Sequence, residues 1–346
     1  MSRRGLVLLA CLLVSTLGDD RPVRAQPAPH EPTIGILLGP SGRGDRGFND
    51  NALDGLAAAS KQARVKVLER AAPAADAYGA AIDELATAGA DLIIGVGFLY
   101  AEPFRSAAAR HPARRFLLLD AELAGLPNVR AVTFRADEGS FLAGVAAAAE
   151  SKRAKVGFVG GMDMPIIRAF ECGYESGVRW AARELGREVR GYAVYVGATP
   201  EAFANPAMGA ELARELIVQK GVDVLYAAAG ASGLGVIEAA RAAKLKAIGV
   251  DADQSLLAPG TVVTSMRKRL DRAVETAVAD LRRQSFTGGT LVMRLANGGV
   301  DLVLPGALAP STRTLLGEAR AALVAGRATP CAKPEERSAP KFPPRR

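Results

Sequence analysis

The sequence predicts an α/β protein of two doubly wound lobes, each a parallel sheet with helices on both faces. Three observations predict it. From Thr33 onward, short apolar runs alternate with amphipathic stretches at helical spacing. The apolar runs are continuous rather than alternating, as in strands buried on both faces. The rhythm runs to about residue 135, restarts at 156 and repeats at similar length. A chain of 346 residues is long enough for two such units.

In order, 34–38 reads as a short apolar strand and 50–63 as a helix. Strand 65–68 and helix 74–88 follow, then strand 91–96 and helix 102–110, then strands 116–120 and 129–134. A long helix covers 139–150. The second series opens with 156–177, VGFVGGMDMPIIRAFECGYESG. Val156, Phe158 and Val159 mark a buried strand, and Gly160-Gly161 a sharp turn. Pro165 suits a first helical turn, and Ile166, Ile167, Phe170, Tyr174 and Val178 recur at helical spacing to about residue 185. Strand 190–196, helix 206–219, strand 222–227, helix 233–243 and strand 246–250 complete the series. Strand 261–264 and helix 270–283 come next. Segments 288–295 and 299–304 read as a hairpin around Asn297-Gly298-Gly299, and 312–325 as a last helix. Residues 328–346 are charged and Pro-rich without apolar periodicity, and are expected to be disordered.

The first 25 residues read as a secretory signal. Arg3 and Arg4 form a positive start, 6–17 an apolar centre, and Val23-Arg24-Ala25 a small-residue cleavage site. The apolar stretch is too short to span a bilayer. Leu8-Leu9-Ala10-Cys11 also resembles a lipoprotein cleavage box, leaving lipidation at Cys11 as an alternative. The product is expected to be periplasmic, with membrane attachment only through that lipid. Cleavage after Ala25 leaves Cys172 and Cys331, which could pair in an oxidising compartment; two unpaired thiols are the preferred expectation. The net charge of +8 is spread over helix faces beside acids, with part in the signal and in 333–346. No dense basic block with interleaved aromatics is present, so no nucleic-acid partner is expected.

Catalysis is not expected. The two histidines, His30 and His111, have no neighbour suited to a metal pair or a Ser–His dyad. Gly173-Tyr174-Glu175-Ser176-Gly177 has the wrong spacing for a nucleophile elbow and lies within a helix. No cysteine–histidine cluster has zinc spacing, so no catalytic residue, metal or cofactor is assigned. The loop 39–47, GPSGRGDRG, lacks dinucleotide or phosphate-loop order and reads as a flexible binding loop. Its Arg43-Gly44-Asp45 match to an adhesion tripeptide is mostly chance.

Ligands of open α/β sheets bind beyond the C-terminal strand ends. Polar and aromatic residues collect there. Phe48 and Asn49 follow the first strand, and Asp120 ends FLLLD. Phe203 precedes a helix, Gly230 and Ser232 follow DVLYAAA, Asp251 ends KAIGVD, and Lys268 opens a helix. Singly, each has a structural alternative as a cap or core residue. Together they supply two rings for a flat heterocycle and carboxylates for sugar hydroxyls. The set suits a nucleoside better than a phosphate.

Seven segments carry a family resemblance. They are GFND, EGSFLAG (138–144), VGFVGGMDMPIIRAFECGYESG, FANPAMGAELA, GASGLGVIEAA, IGVDADQ and TSMRKRLDRAV. From about residue 33 to 304 the chain resembles the basic membrane protein (BMP) family, the purine-nucleoside-receptor type of ABC-transporter binding protein. The resemblance implies a type I periplasmic-binding-protein fold, two lobes joined by three crossovers and closing on a ligand. It implies lobes of 33–135 plus 264–288 and 136–263 plus 289–326. It implies that Phe48 and Phe203 sandwich a base, that Asn49, Asp120, Asp251 and Lys268 hold the base edge or ribose, and that the turn at Gly230 and Ser232 offers backbone contacts. The family's Asp at the end of the first strand is replaced here by Gly39, followed by Pro40, so its base contact is not carried over. Few direct ligand contacts are expected from 156–177. The function expected is capture of a nucleoside-like ligand for an ABC permease. The alternatives are a binding protein feeding a membrane receptor and a nucleoside-processing enzyme.

Overall fold

The computed structural model describes residues 31–62, 64–70, 75–304 and 308–331. The expected signal 1–25, Cys11 within it and the tail beyond Cys331 lie outside the described residues. The first series is β1 (Thr33–Leu37), α1 (Phe48–Gln62), β2 (Lys66–Arg70), α2 (Tyr78–Thr87), β3 (Leu92–Val96), α3 (Ala101–Arg110), β4 (Arg115–Leu119) and β5 (Val129–Phe134). The second is α4 (Ala136–Glu150), β6 (Lys155–Met162), α5 (Pro165–Glu184), β7 (Arg190–Gly197), α6 (Pro206–Glu215), β8 (Val224–Ala228), α7 (Ser232–Ala242), β9 (Lys246–Asp251) and β10 (Val262–Lys268). The chain ends with α8 (Leu270–Arg282), β11 (Gly289–Met293), β12 (Val300–Leu302) and α9 (Pro310–Val324).

Two six-stranded sheets result, ordered β11-β5-β4-β3-β1-β2 and β12-β10-β9-β8-β6-β7. Neighbours pair in parallel except β10 with β12. Each sheet buries both faces, as its continuous apolar strands require. In the first lobe, α1 and α8 cover one face and α2 and α3 the other. In the second, α4, α5 and α9 cover one face, and α6 and α7 the other. The type I fold expected from the sequence is the fold observed.

The α4–α5 contact explains two of the family motifs. A Cβ at Gly144 would lie 2.1 Å from the Tyr174 carbonyl, and one at Gly177 1.9 Å from that of Phe141. The two helices approach so closely that only glycine fits at the crossing.

Three strokes of chain join the lobes, at Arg135, at Arg269 and over 294–299. They run side by side. The Arg135 N–H donates to the Met293 carbonyl (2.8 Å), and the Arg269 N–H to that of Gly299 (2.9 Å).

Four expectations change. The hairpin over 288–304 does not form: β11 pairs with β5 in the first sheet, and β12 with β10 in the second. The Asn297-Gly298 turn, with Gly298 at φ 69°, carries the chain between lobes instead. The return segments therefore divide differently from 264–288 and 289–326. β10 lies in the second sheet, whereas α8 and β11 belong to the first lobe. Gly160 and Gly161 continue β6 rather than turning. Their missing side chains make room for rings: a Cβ at Gly160 would lie 2.7 Å from Tyr195, and one at Gly161 2.4 Å from Phe203. Finally, Cys172 and Cys331 form a disulfide, with Cα atoms 5.3 Å apart. Helix α9 packs on α4 beside α5, and the segment after it is held down by buried Ala328. That packing brings Cys331 to α5, so residues 328–331 are ordered.

Candidate ligand-binding cleft

The C-terminal strand ends of the two sheets face each other across a cleft of about 650 Å³, counted out to its mouth. The first lobe contributes Gly39, Pro40 and Ser41 after β1, Phe48 and Asn49 of α1, Val96 to Leu99 around the end of β3, and Asp120 after β4. The second contributes Met164, Ile166, Ile167 and Phe170 from the start of α5, Phe203, Ala228, Gly230, Val250, Asp251 and Lys268.

The floor is charged. Lys268 is 2% exposed, and its Nζ donates to Asp120 Oδ2 at 2.6 Å. This ion pair joins the lobes, because Lys268 ends β10 and Asp120 follows β4. The ammonium also lies over the rings of Phe170 (4.6 Å), Phe48 (5.4 Å) and Phe134 (5.6 Å). Aromatic faces and a carboxylate together compensate its desolvation.

Asp120 and Asp251 leave their strands in the left-handed region, at φ 62° and 65°. Aspartate tolerates this better than bulkier residues. Asp251 is buried, and among the described residues its Oδ1 has no hydrogen-bond partner. Burial pushes its carboxyl up to about 7; Lys268 opposes the rise, and Asp120 and Asp45 reinforce it. A buried acceptor without a donor is costly, and a ligand hydroxyl entering the cleft would relieve it.

The sequence-selected residues divide into two groups. Phe48 and Phe203 line the cleft from opposite lobes; Asp120, Asp251 and Lys268 form the floor, and Gly230 lies in the wall. Asn49 lines the cleft but is already engaged. Its Oδ1 accepts from the Gly39 N–H (2.7 Å), and its Nδ2 donates to Ser41 Oγ (3.0 Å) and Asp45 Oδ2 (2.9 Å). Asp45 in turn accepts from the N–H groups of Gly47, Asn49 and Asp50, so it closes the loop onto the start of α1. That role leaves the adhesion tripeptide without a free aspartate. Ser232 does not line the cleft. It is fully buried, accepts from the Asn205 N–H and donates to the Ala202 carbonyl, both at 2.7 Å. It therefore braces the turn that carries Phe203.

Two groups of lining residues were missed. Phe98 and Leu99 follow β3. The strand-end rule that selects Phe48 applies equally to GVGFLY and would have found them. Met164, Ile166, Ile167 and Phe170 come from the run expected to make few ligand contacts. An apolar helix start carries no polar signal, and only the lobe-to-lobe geometry turns it into a wall.

Comparison with known proteins agrees with this geometry. The family model for PnrA-like ABC transporter substrate-binding proteins, Bmp, matches residues 33–313. Basic membrane protein A of Borreliella burgdorferi is 32% identical over 254 residues, 72% of each chain. The ABC transporter nucleoside-binding protein BmpA of Lactococcus lactis is 30% identical over 317 residues, 85% of this chain and 87% of that one. The solved structure of an ABC transporter solute-binding protein from Aeropyrum pernix superposes with a TM-score of 0.79 at 28% identity, covering 86% and 92% of the two chains. With its two facing sheets and the cleft between them, the chain belongs to the Bmp family of ABC transporter substrate-binding proteins, which present small-molecule ligands to a permease and are not enzymes.

Proposed function

We propose that this protein captures a nucleoside in the cleft outside the cytoplasm and delivers it to an ABC importer, with 1–25 as its secretory signal. One observation carries the ligand class. The cleft combines rings from both lobes with a buried Asp251 whose Oδ1 lacks a donor. A flat heterocycle stacks on the rings at roughly 1–3 kcal/mol per contact. A ribose supplies the hydroxyl donors that Asp251 and Asp120 accept. A phosphate would meet two carboxylates and a single ammonium, so the phosphate-free nucleoside fits better than a nucleotide. The nucleoside-binding BmpA of Lactococcus lactis, a relative, supports the same class. Around Gly39 and Pro40 the polar side chains of the wall, Ser41 and Asn49, are bonded to each other and to the loop, so base selectivity rests on shape and backbone groups there.

The test is calorimetry of the mature chain with guanosine, adenosine, inosine, uridine, adenine and ribose. Nucleosides are expected to bind at least tenfold more tightly than either fragment, and Phe203→Ala to lose at least that factor. Equal affinity for ribose, or a Phe203→Ala variant that binds unchanged, would refute the reading.

A further inference from the structure

The mouth of the cleft holds a ring contact that the nucleoside reading does not use. Phe203 sits on the turn Pro200–Phe203 after β7, the edge strand of the second sheet opposite β12. Its own lobe fixes it from behind. A Cβ at Gly161 would be 2.4 Å from the ring, and one at Gly230 3.0 Å from the Phe203 carbonyl. The ring therefore cannot retreat into the second lobe. From the first lobe, Phe98 meets it edge-on, with centroids 6.4 Å apart and planes at 64°.

Phe98 is itself mounted rigidly. It follows Gly97, at φ 114°, on the single turn Phe98–Tyr100. Tyr100 anchors that turn: it is fully buried, its hydroxyl donates to the Leu38 carbonyl at 2.6 Å, and its ring lies against Tyr78 and Phe104. Phe98 and Phe203 are both half-exposed, whereas Lys268 and Asp251 below them are buried. The ring pair thus lies nearer to solvent than the charged floor. It also crosses between lobes at strand ends remote from the three crossovers.

We propose that Phe98 is a positioning residue that clasps Phe203 across the mouth, and so sets how long a captured ligand stays. The proposal rests on the reading that the cleft closes over a nucleoside. Opening the lobes separates the two rings, and release requires opening. Entry into the open cleft does not involve the pair. Loss of the clasp therefore raises the dissociation rate. An aromatic pair of ordinary strength corresponds to about a 2- to 12-fold faster release.

Two measurements on the full mature chain test this. The first is rapid-filtration release of labelled guanosine from wild type, Phe98→Leu, Phe98→Tyr, Phe203→Leu and the Phe98→Leu/Phe203→Leu double variant. Phe98→Leu is expected to release about 2- to 12-fold faster. Phe98→Tyr keeps the ring and should release like wild type. In the Phe203→Leu background the Phe98 substitution should add nothing. The second is amide hydrogen exchange over 199–205 without nucleoside, where the Ala202, Ala204 and Asn205 N–H groups are bonded. Exchange there should rise by a similar factor in Phe98→Leu and not in Phe98→Tyr. If wild type fails to bind guanosine, the nucleoside reading falls, and the exchange measurement alone decides the clasp. Unchanged release where guanosine binds, additive effects in the double variant, or unchanged exchange at 199–205 would each overturn the clasp.

Discussion

Replacing Asp251 by asparagine should stabilise the fold above neutral pH and weaken the binding site at once. The side chain is buried, its Oδ1 is unpartnered among the described residues, and burial holds its carboxyl up at about 7 against an ordinary value of 3.8. The folded chain therefore keeps a proton on Asp251 that the unfolded chain has lost between those two values. Through that window the native state binds more protons, so stability falls as pH rises. Above pH 7 the whole deficit is present. A difference of about three pKa units corresponds to roughly 4 kcal/mol. Asparagine has the same shape and no charge to desolvate. Urea unfolding at pH 4 and pH 8 measures the effect. The variant should match wild type within about 1 kcal/mol at pH 4 and exceed it by up to about 4 kcal/mol at pH 8. Nucleoside affinity should fall, because the amide cannot replace an ionised acceptor facing ribose hydroxyls. A stability difference of equal size at both pH values would refute the reasoning, since it would arise from packing rather than from ionisation.

Two further outcomes follow from the geometry. Gly161→Ala places a methyl within the ring of Phe203; nucleoside affinity should drop about tenfold by calorimetry, the loss of one stacking contact, with far-ultraviolet circular dichroism unchanged. Cys172→Ser opens the disulfide to Cys331; the variant should lose about 2–5 kcal/mol in urea unfolding, and wild type under reductant should lose the same amount while the variant does not respond.

Much of the site was legible because strand ends are legible. Asp120, Asp251 and Lys268 end or follow strands, Phe48 and Phe203 lie in the connections after strands, and the crevice rule for open sheets does not depend on which strands pair. Asn49 and Ser232 were legible as positions but not as roles. A side-chain amide or hydroxyl looks the same in sequence whether it faces a ligand or braces a loop. Only the partners distinguish them: Gly39, Ser41 and Asp45 for Asn49, and Asn205 and Ala202 for Ser232. Phe98 is legible by the same rule. Phe170 was not, since it belongs to the same α5 stripe that packs the core and nothing local marks it as lining the cleft.

The sequence by itself determined the two-lobed α/β architecture, the family and which charged residues stand at the strand ends, because those follow from local periodicity and position. The tertiary structure alone decided where β11 and β12 pair, since an edge strand chooses its partner by what lies beside it in space. It decided that Gly160 and Gly161 serve as seats for Tyr195 and Phe203, because a close approach depends on the ring that arrives. It decided the bond between Cys172 and Cys331, 159 residues apart, through the packing of α9 against α4. Each of these is a long-range contact whose energy no window of neighbouring residues contains.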